Sequence, residues 1–312
     1  MSFASDVKKE ICQLKFSKSE NIAELSGFLR TNAKYTKNNI LLTSENAKVA
    51  KRIYLLIKDI YGINCIITEK RNAVFNKSLV YTIDVEEKVA TVLKDLSVIN
   101  EEFKHLEMPK EYIVGSTEEI KAYIRGAFLS KGSINDPKTS MYHLEFVFDN
   151  KKEAVFVQRL LNTFDLDSKI LLREEKCMVY IKDSEKISDF LKLISAFNAV
   201  LYYENIRAHK EQKNVANRLN NCEQANTDKT IQSATSQIED IELIAEAIGL
   251  NILDEKIKEA AEYRLKYPET SLTELSEIIS IETHAKITKS GLNHRFRKLK
   301  EIAKSIRDNA KS

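Results

Sequence analysis

At 312 residues the chain exceeds what one hydrophobic core usually serves, so two domains or a duplicated domain are expected. Apolar residues at 43% and charged residues at 30% suit a globular protein, and only 7 Gly and 3 Pro argue against turn-dense all-β folds and long flexible linkers. A net charge of +3, from 49 basic and 46 acidic residues, says little about partners until its distribution is followed along the chain.

Met1–Glu10 lacks the basic start and apolar core of a signal peptide. No apolar run approaches the roughly 20 residues that cross a bilayer, so no membrane partner is expected. Cys12, Cys65, Cys177 and Cys222 are scattered without a Cys-x-x-Cys pair, which suits neither a metal site nor a disulfide framework. A reducing cytosol is therefore the expected compartment, with no metal and no cofactor, and Cys222 reads as a small buried residue.

Self-similarity organises the first two thirds. Residues 22–33 read IAELSGFLRTNA and residues 121–132 read KAYIRGAFLSKG, helices built around Ser26-Gly27 and Arg125-Gly126 at an offset of 99. After the first come an extended stretch at Asn39–Thr43, a helix over Asn46–Tyr61, strands at Cys65–Thr68 and Leu79–Asp84, and a helix over Glu86–Leu96. After the second come a strand at His143–Phe148, a helix over Lys151–Phe164, strands at Lys169–Leu172 and Met178–Ile181, and a helix over Ser184–Ala196. Gly inside a helix costs about 1 kcal/mol relative to Ala. Gly27 and Gly126 are accordingly expected where two helices pack backbone to backbone on a pseudo-twofold seam.

The paired helices resemble the LAGLIDADG motif of homing endonucleases, in which two such helices pack together and their sheets form a saddle over DNA. The resemblance implies an α+β fold, a duplicated LAGLIDADG-like αββαββα pseudo-dimer. In that family the last acidic residue of each motif holds a divalent metal; those positions fall here on Asn32 and Lys131. Neither is a carboxylate, and an ammonium would repel the cation. Asp136, in an Asn-Asp-Pro turn, and Glu145 are the candidates for displaced ligands in the alternative reading, a metal-dependent endonuclease. In a third reading the saddle binds a protein or a ligand. The loop Lys70–Ser78 is basic enough for DNA, yet no more so than many solvated loops.

From residue 204 to 238 the chain is polar, Asn- and Gln-rich and basic in its first half, which predicts a solvent-exposed helical connector after a first domain of residues 1–203 (repeats about 1–100 and 110–203). Arg207, Lys210, Arg218 and Lys229 are its candidate phosphate contacts, against the alternative of a merely solvated face. Residues 239–312 read as helices throughout, over Leu243–Leu250 and Asp254–Lys266, then from a cap at Ser271 or Thr270 with Glu274 placed for a capping box. A connector, Glu282–Thr288, leads to a last helix capped by Ser290, with a core stripe of Leu292, Phe296, Leu299 and Ile302-Ala303.

Two short helices, the second apolar inward and basic outward, form a helix-turn-helix arrangement in an all-α domain. Residues 281–312 hold nine basic and three acidic side chains, more than the whole excess of the chain. Candidate DNA contacts are Ser271, Leu272, Thr273, Glu274, Lys289, Ser290, Gly291, Asn293, His294 and Arg295, where Arg can read guanine and Asn adenine. Arg297, Lys298, Lys300 and Lys304 are candidates for phosphate.

The strings YIRGAFLSKGSINDP, RLNNCEQANTDKT and TKSGLNHRFRKL closely resemble the WhiA family, nearly end to end. That resemblance implies a non-catalytic, sequence-specific regulator of bacterial transcription. It acts on double-stranded DNA in the cytoplasm, associated with the nucleoid, and is tied to cell division and chromosome segregation or to sporulation. RNA polymerase or cell-division proteins are further implied partners. The many Lys, Ile and Asn and the absence of Trp favour the cell-division version. A monomer and a dimer on DNA both remain open.

Overall fold

A computed structural model describes residues 2–71, 79–172 and 176–309. Most of the basic loop Lys70–Ser78 lies outside the described residues. The chain divides into two compact units, Met1–Lys210 and Glu211–Ser312.

The first unit opens with α1 (Phe3–Ile11), followed by α2 (Lys18–Asn32), β1 (Lys34–Tyr35), β2 (Ile40–Ser44), α3 (Ala47–Tyr61), β3 (Ile66–Arg71), β4 (Leu79–Val85) and α4 (Val89–Asp95). After a short α5 (Glu111–Val114), the second repeat runs α6 (Thr117–Lys131), β5 (Gly132–Ile134), β6 (Leu144–Phe148), α7 (Lys151–Asn162), β7 (Lys169–Leu172), β8 (Cys177–Ile181) and α8 (Ser184–Leu193). Each repeat is therefore αββαββα, and the two antiparallel sheets have the same order, β1-β2-β4-β3 and β5-β6-β8-β7.

The duplication extends to the capping chemistry. Ser17 with Glu20 closes a capping box on α2, and Ser116 with Glu119 closes one on α6, both at the same offset of 99 as the two glycines. Asn46 caps α3 by accepting from Lys48 N, as Asn150 caps α7 by accepting from Lys152 N.

α2 and α6 cross at their glycines. A Cβ on Gly27 would stand 2.2 Å from Tyr123 O, and one on Gly126 would stand 2.0 Å from Glu24 O, so only hydrogen fits there. Around this seam residues 24–31 and 122–129 are buried on all sides. The sheets cover it with alternate residues: Ile40, Leu42, Ile83 and Val85 from one, Phe146, Phe148, Val179 and Ile181 from the other.

Charges are also buried at the seam. Glu24 accepts from both Nε and Nη2 of Arg52 and from Arg125 Nε at 2.6 Å, and the Arg125 guanidinium lies 3.4 Å from the Phe16 ring centroid. Arg30 donates to Glu153 and to the carbonyls of Ser97 and Leu106, and Tyr123 Oη reaches Glu153 at 3.3 Å.

The expected connector at 204–238 is not a separate segment. With no Gly or Pro to interrupt it, one helix, α9, runs 51 residues from Phe197 to Ala247 and takes in most of the helix expected at Leu243–Leu250. It ends before Gly249, at φ 82°. The second unit adds α10 (Glu255–Lys266), α11 (Leu272–Thr283) and α12 (Lys289–Asn309) around a core of Ile241, Ile244, Ala260, Leu275, Ile279, Leu292, Phe296 and Leu299. Cys222, expected to be buried, is exposed, because the middle of α9 carries almost no buried side chain.

Candidate nucleic-acid interface

α11 starts where its sequence says. Ser271 Oγ accepts from Glu274 N, and Glu274 returns its carboxylate to Ser271 N at 2.9 Å. That hydrogen bond holds Glu274 below the usual carboxylate range and commits the side chain to the cap. Ser271 and Leu272 are half-buried and Thr273 is exposed.

His284 in left-handed conformation, φ 56°, stops α11. The bend to α12 is pinned by Ile287 N donating to Ser280 Oγ at 3.0 Å. Thr288, not Ser290, caps α12: its Oγ1 accepts from Gly291 N at 3.2 Å and its carbonyl from Leu292 N at 2.9 Å. Both residues can cap, and the helix starts two residues earlier than the Ser290 reading placed it.

Leu292, Phe296, Leu299 and Ala303 fasten α12 to the core. Lys289, Ser290, Gly291, His294, Arg297, Lys298, Lys300 and Lys304 are exposed, and Asn293 is half-buried at the edge. Among the described residues Lys289, Arg297, Lys298, Lys300 and Lys304 have no ion pair. Asn293, Arg297, Lys300 and Lys304 recur at three- and four-residue spacing and share one face.

Arg295 departs from expectation. Its Nη1 donates to Glu259 Oε2 of α10 at 2.8 Å in a half-buried pair, so it holds α12 against α10 rather than offering a free guanidinium. Arg307, also on α12, pairs with Asp240 at 2.8 Å.

A cleft of about 200 Å3 brings Lys229 of α9 together with Ser271, Leu272 and Lys289. Its inner wall is Arg264, 1% exposed, which donates to Gln237 Oε1 at 3.0 Å and Thr270 O at 2.7 Å. Burial pushes this guanidinium below its ordinary value. The sequence reading passed over Arg264, which looks like any basic residue near a helix end.

The other proposed phosphate contacts fall differently. Arg207 is tied to Glu185 at 3.1 Å and Glu204 at 3.2 Å. Lys210 donates to Thr139 O and lies 4.8 Å from the Tyr142 ring centroid. Both side chains are engaged within the first unit, whereas Arg218 stands exposed on α9.

At the C-terminal ends of α2 and α6, Asn32 and Lys131 line one cleft of about 640 Å3. Asn32 bonds both the N–H and the C=O of Thr43, at 2.8 and 3.0 Å, and Lys131 pairs with Asp149 at 3.0 Å. Neither Asp136 nor Glu145 lines that cleft. Asp136 accepts from Lys138 N at 2.9 Å and Tyr202 Oη at 3.2 Å, and Glu145 faces His143 at 3.2 Å.

Three consecutive stretches match families described as the WhiA N-terminal LAGLIDADG-like domain (residues 18–99), the WhiA LAGLIDADG-like domain (120–213) and the WhiA C-terminal HTH domain (216–303). The chain belongs to the WhiA family. The probable cell division protein WhiA of Bacillus cytotoxicus is 40% identical over 311 residues, 98% of each chain, and that of Bacillus cereus strain G9842 is equally similar. The fold agrees with the crystal structure of full-length DUF199/WhiA from Thermatoga maritima (24% identity, TM-score 0.59, 98% of this chain and 99% of that one). The second unit of this WhiA-family chain is thus a DNA-binding helix-turn-helix domain, and the first a LAGLIDADG-like domain. Among the described residues no helix is long and apolar enough to cross a membrane.

Proposed function

We propose that this WhiA-family protein is a sequence-specific DNA-binding regulator of transcription without nuclease activity, serving cell division and chromosome segregation. The observation that carries the reading is α12. Its apolar stripe is locked in the core, five exposed cations outside that stripe are free of ion pairs among the described residues, and Asn293 and His294 lie near its N-terminus. Exposed cations of this kind bind phosphate with a salt-dependent affinity, and the side chains near the helix start read base edges. The cell-division role rests on the relatives, named as probable cell division proteins. The non-catalytic reading rests on Lys131 and Asn32 at the motif ends, and on the placement of Asp136 and Glu145 away from them.

The test is selection from a genomic DNA library by the intact protein, across about 50 to 200 mM salt with Mg²⁺ present. One enriched motif, uncut DNA and a steep loss of affinity with salt are expected. Loss of enrichment in Arg297→Ala/Lys298→Ala/Lys300→Ala would place the contacts on α12. Unchanged binding by that variant would reject the assignment, and cut ends would restore the nuclease reading.

A further inference from the structure

We propose that the cleft at the C-terminal ends of α2 and α6 binds a small phosphorylated molecule of nucleotide size. Its volume, about 640 Å3, lies in the range of roughly 300–1,000 Å3 usual for small-molecule sites. The lining is a donor set for an anion. It includes two ammonium groups, Lys8 and Lys131, and six hydroxyl-bearing side chains, against one carboxylate, Glu45. Asn46, the N-cap of the 15-residue α3, brings the positive end of that helix to the wall.

One charged group there has no anionic partner. The Lys8 ammonium sits 5.5 Å from the Phe128 ring centroid and has no salt bridge among the described residues. Burial pushes Lys8 down to about 8, outweighing the nearby Cys12 and Glu45, so a bound anion would supply the charge its surroundings lack. A divalent cation fits poorly, because the lining offers one carboxylate, Glu45, beside two ammonium groups, of which Lys131 already pairs with Asp149.

The cleft also has a fixed wall. α1 contributes Ala4, Ser5 and Lys8, beside its N-cap Ser2, and it is anchored by fully buried Val7 and Ile11. Glu10 further accepts from the N–H groups of Asn198 and Ala199, at 2.7 and 3.0 Å, and Asn46 Nδ2 reaches Ser5 Oγ at 3.2 Å. A wall held at that many points favours a compact ligand over a duplex laid across the motif ends. The site belongs to the first unit, so its failure would leave the DNA-reading role of α12 untouched.

The experiment is titration of the full chain with inorganic pyrophosphate, ADP and adenosine, followed by melting temperature and calorimetry in an Arg297→Ala/Lys298→Ala background that removes exposed cations of α12. Pyrophosphate and ADP should bind saturably and adenosine should not. Lys8→Met and Lys131→Met should each weaken ADP at least tenfold while keeping the unliganded circular dichroism spectrum; Lys8→Met retains the aliphatic volume and removes a desolvated charge. No saturable binding, or binding unchanged in both variants, would overturn the proposal. Displacement of ADP by a short DNA duplex would assign the cleft to the DNA backbone instead and would equally overturn it.

Discussion

Gly27 and Gly126 are the positions at which one added methyl group is worth most. The Cβ of Gly126→Ala would meet the Glu24 carbonyl oxygen at 2.0 Å, and backbone on both sides cannot yield without parting α2 from α6. Overpacking of this kind costs about 1–3 kcal/mol, outweighing the roughly 1 kcal/mol of helix propensity that Ala would add. Urea unfolding should therefore show Gly126→Ala destabilised, whereas a gain in stability would mean that the helices do not touch there. Glu24 beside it holds two guanidinium groups, and its removal takes away their close carboxylate, leaving Arg125 only Glu20 at 3.9 Å and Arg52 the Leu14 carbonyl at 2.9 Å. Glu24→Gln should lower stability by about 3–5 kcal/mol, while Glu185→Gln, at an exposed pair with Arg207, should cost under 1 kcal/mol. Equal effects of the two would remove the buried network from the account. The glycines could be found in the sequence because they repeat at one offset. The ion pairs could not: Glu24 and Arg125, or Arg30 and Glu153, are joined only once the seam has formed.

Among the elements, α12 divides its basic residues by function, and the division can be measured. Arg297, Lys298 and Lys300 are exposed without ion pairs, so each single Ala substitution should reduce the slope of log affinity against log salt by about 0.9 without moving the melting temperature. Arg295→Ala should do the reverse, loosening α12 from α10 through the lost Glu259 pair. A salt slope that changes with Arg295 and not with Arg297 would invert the assignment. The α11 cap gives a pH dependence. Glu274 is held below the ordinary carboxylate range by Ser271, and Glu282 by Lys266 and Tyr267, so both stabilise the folded state above their unfolded titration and lose that contribution as the pH falls through the folded one. Glu274→Gln/Glu282→Gln should flatten the acid limb of the thermal stability curve for the second unit, and an unaltered limb would count against these groups.

Most of these elements were readable because periodicity and caps are local: Ser271 with Glu274, the Leu292–Phe296–Leu299 stripe and β7 at Lys169–Leu172 stand where the sequence puts them. Two short strands, β1 and β5, and the helix α1 were not readable, being defined by the partners they meet. The capping of α12 by Thr288 shows the same limit at one residue, since Thr288 and Ser290 are equivalent until the turn closes.

At the scale of the whole molecule, the described residues form two hydrophobic clusters with no residue in common, one around the α2–α6 seam and one around Leu275, Leu292 and Phe296. Stability should therefore respond to core substitutions in two separate compartments, although a single helix, α9, contributes Tyr203 to the first cluster and Ile241 and Ile244 to the second. The exposed middle of α9 couples the two clusters only weakly, because most helical stability comes from packing and few side chains there are buried. Phe296→Ala, expected to cost about 3–5 kcal/mol in its own core, should lower one calorimetric transition, and Phe128→Ala should lower the other. Combined, the two should add within about 0.5 kcal/mol. A single transition displaced by either substitution would show instead that the exposed stretch of α9 couples the two cores, and that the DNA-reading domain and the LAGLIDADG-like domain unfold as one.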